Sequence, residues 1–86
     1  MQIKYSRDAI KFLEKQTKQS VDRIRKSIDK LTLSPPEGDI AILKGYLDNR
    51  KRLRVGSWRV IFKFNTENEM EILLIMDIGN RGDIYK

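Results

Sequence analysis

The sequence predicts a small α+β domain of element order β-α-α-β-β-β, an antiparallel-rich sheet with a helical hairpin packed on one face. Three observations predict it. Apolar residues recur at helical spacing between Ala9 and Leu31, two strand-like runs flank Gly56-Ser57, and a third apolar run from Ile72 to Met76 follows them. Eighty-six residues suit one domain with one core, so residues 1–86 are read as a single unit.

Gln2 to Tyr5 alternates polar and apolar, with Ile3 and Tyr5 on one side, and reads as a short first strand. Ser6 is the expected N-cap of a first helix, and Asp8 suits its positive end. Ala9, Ile10, Phe12 and Leu13 make its apolar side, and it is expected to end around Lys15 to Lys18. Ser20 is the candidate cap of a second helix, unless the first runs on through Gln16-Thr17. Val21, Ile24, Ile28 and Leu31 then form one buried stripe, with Asp22, Arg23, Arg25, Lys26, Asp29 and Lys30 on the solvent side. That mixed-sign face is ordinary solvated helix surface.

Ser34-Pro35-Pro36-Glu37-Gly38-Asp39 stops the helix, since proline cannot continue it and restricts the residue before it. Ile40 to Asp48 reads as a connection containing Leu43-Lys44-Gly45-Tyr46. From Arg50 to Lys63 come two strands joined by Gly56-Ser57, the glycine-first loop of a type II′ turn. That loop sets Val55 opposite Trp58, Arg54 opposite Arg59, Leu53 opposite Val60, Arg52 opposite Ile61 and Lys51 opposite Phe62. Opposed residues share a face. One face therefore carries Val55, Trp58, Leu53, Val60 and Phe62, and the other Arg50, Arg52, Arg54, Arg59 and Lys63 with Ile61 among them. Trp58 is read as core, and Lys51 points away from the arginines. A turn at Asn65 to Asn68 leads to the last strand, Met70 to Ile78, apolar on both alternating sets and so expected to be central or doubly covered. Gly79 to Asp83 reads as a loop.

Composition narrows the chemistry. There is no cysteine and no histidine, which removes disulfides, thiolate metal sites and the commonest acid–base side chain. No metal or cofactor is expected. No apolar run approaches transmembrane length and the amino terminus lacks a signal peptide's hydrophobic region, so no membrane association and a cytoplasmic location are expected. The net charge is +6. Between Lys44 and Lys63 there are seven bases and one acid, Asp48, while the rest of the chain has eleven of each. The whole excess sits on the hairpin and its approach, which points to a polyanionic partner. Like charges opposed across a ladder are unfavourable by themselves, so a face holding the Arg54–Arg59 pair suits a bound anion. By its own pattern Tyr85 reads as a packing residue.

Leu43-Lys44-Gly45, Arg52-Leu53-Arg54-Val55-Gly56-Ser57-Trp58-Arg59-Val60-Ile61-Phe62, and Ile78-Gly79-Asn80-Arg81-Gly82-Asp83-Ile84-Tyr85 resemble the RelE/ParE toxin superfamily of type II toxin–antitoxin systems. The resemblance covers nearly the whole chain and its element order. It implies the RelE-like fold and one of two activities: ribosome-dependent cleavage of mRNA, as in RelE-like members, or poisoning of DNA gyrase, as in ParE-like members. In RelE-like enzymes, two basic residues on the first hairpin strand, an arginine on the next, and an arginine and a tyrosine of the tail surround the scissile phosphate. Those positions are Arg50, Arg52, Arg59, Arg81 and Tyr85 here, with Arg54 matching a further basic residue. The family often has lysines where this chain has Arg50 and Arg52, and histidine where it has Asn80.

The resemblance thus implies an mRNA interferase, a metal-independent endoribonuclease that arrests growth by inhibiting translation. Arg52, Arg59, Arg81 and Tyr85 form its catalytic set, and Lys44, Arg50, Lys51, Arg54 and Lys63 bind RNA. Arg59 and its neighbours stabilise the pentacoordinate phosphate, Arg81 is the candidate proton donor, and Tyr85 and Lys51 are candidates to orient or deprotonate the 2′-hydroxyl. The alternatives are a ParE-like gyrase inhibitor without nuclease activity and a degenerate toxin that only binds its antitoxin. The implied partners are the ribosome, mRNA and a cognate antitoxin, acidic and partly disordered alone, in a toxin–antitoxin hetero-oligomer.

Overall fold

A computed structural model describes residues 1–80 of the chain. Its elements are β1 (Gln2–Tyr5), α1 (Arg7–Glu14), α2 (Lys18–Asp29), a 3-10 turn (Lys30–Thr32), β2 (Asp39–Ile42), β3 (Lys51–Val55), β4 (Trp58–Glu67) and β5 (Met70–Asn80). The strands form one mixed five-stranded sheet in the order β1-β5-β4-β3-β2, in which β1 runs parallel to β5 and every other pair is antiparallel. The expected α+β architecture is present, with β5 between two neighbours as its two-sided apolar pattern implied.

Ser6 caps α1 as expected, its Oγ accepting from the N–H of Ala9 at 3.1 Å. The same hydroxyl donates to the carbonyl of Met76 at 2.7 Å, and the Ser6 N–H donates to the carbonyl of Ile75 at 2.9 Å. One residue thus ends β1, starts α1 and ties both to β5. The second helix is capped by Thr17 rather than Ser20: Thr17 Oγ1 accepts from the N–H of Ser20 at 3.1 Å. The extended backbone of Thr17 (φ −67°, ψ 157°) also breaks the chain between the helices, so α1 does not run on through it.

The core lies between the helices and one face of the sheet. Ala9, Ile24, Ile28 and Leu31 pack on Leu53, Val55, Val60, Phe62, Leu73, Ile75 and Ile78, all buried, with Trp58 and Phe64 at the margin. Full burial of side chains of this size contributes about 1.5–3 kcal/mol each, enough to fix which sheet face is closed. Val21 departs from the expected stripe. It is only half-buried, because it lines a solvent-open groove with Tyr5, Ile10 and Leu13.

The β3–β4 register is the one the turn dictates, from Val55 opposite Trp58 to Lys51 opposite Phe62. Gly56 has φ +59°, and Ser57 is not in the left-handed region, as a type II′ turn requires. Two connections differ from expectation. Asp39 to Ile42, where the helix-stopping segment meets the expected Ile40–Asp48 connection, is a short edge strand, pairing Ile40 with Leu53 and Ala41 with Arg52. The residue before it must be glycine: Gly38 has φ +140°, and a Cβ there would lie 2.6 Å from Leu53 Cδ1. At the far end, β4 continues to Glu67, and the turn is Asn68-Glu69, both at positive φ, a two-residue loop suited to the strand twist. β5 likewise runs on to Asn80, beyond the expected end at Ile78.

Candidate functional site

The sheet face turned away from the helices carries the basic cluster. β3 contributes Arg52 and Arg54, β4 contributes Arg59 and Lys63, and Arg50 stands immediately before β3. Arg54 faces Arg59 and Arg52 faces Ile61, so strand alternation alone brings all five cations to one side. Ile61 belongs to this face, yet is only 6% exposed. Arg52 is held low against the sheet, its side chain 12% exposed, while Arg54 is 39% exposed.

Two carboxylates organise these cations: Asp39, from the end of the expected helix stop, and Asp48, from the end of the expected connection. Asp39 enters from edge strand β2, opposite Arg54. Its Oδ1 lies 3.4 Å from Arg52 Nη1 and its Oδ2 lies 3.8 Å from Arg54 Nη1. Its backbone carbonyl accepts from Arg52 Nη1 at 3.3 Å. Asp48 accepts two hydrogen bonds from one guanidinium, from Arg50 Nε at 3.0 Å and Arg50 Nη2 at 2.8 Å, and a third from Lys63 Nζ at 3.4 Å. The hydrogen bonding from Arg50 holds the Asp48 carboxyl well below the usual carboxylate range against the opposing effect of burial, with the charges of Arg50 and Lys63 adding to it. The Arg50 guanidinium also lies over the Tyr46 ring, 4.2 Å from its centroid. The like-charge repulsion that suggested a bound anion is therefore partly offset within the protein. Arg50 and Lys63 share one acid, and Arg52 and Arg54 share another.

Not every expected binding residue joins this face. Lys51 points to the helix side, as its register implied, with Nζ 5.6 Å from the centroid of the Phe64 ring. Lys44 is exposed on the loop between β2 and β3. Arg81 and Tyr85 lie outside the described residues. On the helix side, a separate groove of about 570 Å³ is lined by Gln19, Ser20, Asp22, Arg23, Lys26 and Trp58, with the Arg23 guanidinium 5.7 Å from the Trp58 ring centroid. Among the described residues, no group of three or more Asp or Glu side chains is arranged to hold a metal ion, and no helix is long and apolar enough to cross a membrane.

The family model for the ParE toxin of the type II toxin–antitoxin system parDE matches residues 3–85. The chain belongs to this family. Two solved structures share its fold. A chain of the archaeal RelE–RelB complex from Pyrococcus horikoshii OT3 superposes with a TM-score of 0.71 at 24% identity, covering 95% of this chain and 96% of that one. The RelB–RelE antitoxin–toxin complex from Methanococcus jannaschii gives a TM-score of 0.67 at 22% identity, covering 95% and 94%. A comparison with curated proteins returned no match. The protein is a type II toxin of the RelE/ParE superfamily, and its basic face is the sheet surface turned away from its own two helices.

Proposed function

We propose that this toxin is an endoribonuclease that cuts mRNA on the ribosome and so inhibits translation. The observation that carries the proposal is the gathering of Arg50, Arg52, Arg54, Arg59 and Lys63 on the sheet face opposite the helices, with Arg54 directly opposed to Arg59. Fixed guanidinium groups suit a phosphate whose negative charge grows during reaction. They present paired donors, keep their protons, and need no reorganisation when the transition state forms. In the reaction the ribose 2′-oxygen attacks the adjacent phosphorus and the P–O5′ bond breaks, leaving a 2′,3′-cyclic phosphate and a 5′-hydroxyl. Arg52, Arg54 and Arg59 stabilise the pentacoordinate phosphate, and Arg50 and Lys63 guide the flanking backbone. Arg81 and Tyr85 are assigned to the same site by the resemblance of their segment to RelE-like enzymes. The ribosome supplies orientation of the message, which by itself is worth several kcal/mol.

The second reading is a gyrase inhibitor that cleaves nothing, favoured by the ParE description of the matching family. Primer extension on mRNA from cells expressing the chain, run beside a plasmid-supercoiling assay, separates the two. Cuts phased with the reading frame support the nuclease. Altered supercoiling with intact messages supports the inhibitor and overturns the nuclease.

Under either reading the toxin is held in check in the cytoplasm by an antitoxin, as the two structurally similar toxins are crystallised with RelB partners. An acidic segment that is disordered alone and folds on binding fits the focused positive charge.

A further inference from the structure

An irregularity in β5 decides which side Asp77 stands on. Leu73 and Ile75 point into the core. Strict alternation would send Asp77 after them and turn Ile78 outward. The ladder between β4 and β5 shifts instead: Ile61 pairs with Asp77 and Phe62 pairs with Ile75, so Met76 is an extra residue with no partner across the ladder. The shift reverses the faces. Ile78 is buried in the core at 3% exposure, and Asp77 stands on the arginine face opposite Ile61. The bulge is fastened from the helix side, because the carbonyls of Ile75 and Met76 are those that accept from Ser6.

Asp77 thereby enters the middle of the cationic face. Across the sheet it lies in the row Arg52–Ile61–Asp77, and Arg59 and Lys63 flank Ile61 on the same side of β4. Such diagonal neighbours stand about 7–8 Å apart at Cα, within reach of long side chains. Asp39 and Asp48 each lie within 4 Å of two cations, whereas Asp77 makes no such ion pair among the described residues. Its Oδ1 accepts from the N–H of Ile78 at 2.9 Å, and Oδ2 accepts no hydrogen bond from the described residues.

Among the described residues Asp77 holds no arginine in an ion pair, and a carboxylate of that kind weakens a phosphate site unless it takes a proton there. Arginine is a poor proton acceptor, so the four arginines of this face are poorly suited to serve as its base, and a carboxylate among them is well suited. We infer that Asp77 is the general base of this toxin, an assignment that rests on the endoribonuclease reading. Asp77 takes the proton of the ribose 2′-hydroxyl as that oxygen bonds to phosphorus. The P–O5′ bond breaks with its electron pair on the 5′-oxygen, which takes a proton from water, and the hydroxide so formed recovers the proton from Asp77. The Met76 bulge is the device that turns the carboxylate toward the phosphate.

The test uses the full chain on ribosomes programmed with a defined message. Asp77→Asn keeps an acceptor for the Ile78 N–H, and Asp77→Ser does so with a smaller side chain if the first variant folds poorly. Cleavage is expected to fall by about 10²–10⁴-fold, while binding to ribosomes carrying a 2′-deoxy-substituted message is unchanged or tighter. Cleavage at the wild-type rate by a folded variant overturns the assignment and leaves the nuclease reading intact. Loss of binding in place of loss of cleavage also overturns it. No cleavage by the wild type overturns the nuclease reading, and the role of Asp77 with it.

Discussion

Asp48 and Arg50 are joined by two near-parallel hydrogen bonds, 3.0 and 2.8 Å long, across a separation of two residues. The pair stands at the edge of the basic face, where Asp48 also reaches Lys63. It restrains two cations that a polyanion would otherwise recruit. Asp48→Asn is therefore expected to tighten binding to single-stranded RNA and to steepen its salt dependence, because two cations are freed for phosphate. Filter binding from low to high salt measures both. An unchanged slope shows that Arg50 and Lys63 do not contact the polyanion.

The same pair predicts a pH dependence of stability. Asp48 binds a proton less readily folded than unfolded. Its contribution is complete above the ordinary carboxylate pKa near 4 and is lost as pH falls below that, toward the depressed folded value. The wild type should exceed Asp48→Asn in urea midpoint at pH 7, and the gap should close below about pH 4. A gap that stays constant to low pH contradicts the assignment.

Arg59 faces Arg54 from the middle strand of the basic face. Arg59→Ala is expected to abolish growth inhibition on induced expression, with far-UV circular dichroism and expression level retained. Wild-type toxicity at wild-type expression removes Arg59 from the site.

Ile28 is fully buried among helix and sheet residues. Ile28→Ala should cost about 2–5 kcal/mol in urea unfolding. A loss below about 1 kcal/mol would mean the site had collapsed around the smaller side chain.

The two helix caps should differ. Thr17→Ala removes one N-terminal hydrogen bond and is expected to cost about 1 kcal/mol. Ser6→Ala removes the cap and also leaves the Met76 carbonyl without its donor, so about 2 kcal/mol is expected. Chemical denaturation of both variants checks the order. Equal costs would show that the Ser6–Met76 bond contributes nothing.

An acidic antitoxin segment should associate more slowly as salt rises, because steering by the focused charge is screened. Stopped-flow mixing at several ionic strengths measures this. A salt-independent rate would place the recognition surface away from Arg52 and Arg59.

The hairpin was legible residue by residue because a glycine-first two-residue turn admits one register, and the pleat then assigns every side chain to a face. The Ile24–Ile28–Leu31 stripe was legible for the same kind of reason, a fixed period against a wide core. Edge strand β2 was not. Four residues between Gly38 and Leu43 carry too little alternation to announce a strand, and it is made by pairing with β3. The ion pairs of Asp39 and Asp48 were hidden with it, since they depend on what the sheet brings together. The face of Asp77 was hidden more deeply. Ile72 to Met76 is apolar at every position, so no pattern marks where the extra residue enters. Arg81 and Tyr85 rest on the resemblance of their segment to the family.

The pairing of β1 with β5 sets Gln2 beside Ile72 and Tyr5 beside Ile75. A ribosome emits the first of these partners long before the second. While the middle of the chain is being made, Ile3 and Tyr5 have no strand to lie against, and Ser6 has neither carbonyl of the bulge to hold. The sheet can close only after β5 has emerged, and closing it requires the entropy cost of a long loop. For a protein read as poisoning translation, this gives each molecule a harmless interval during its own synthesis. An antitoxin already present has that interval in which to meet it.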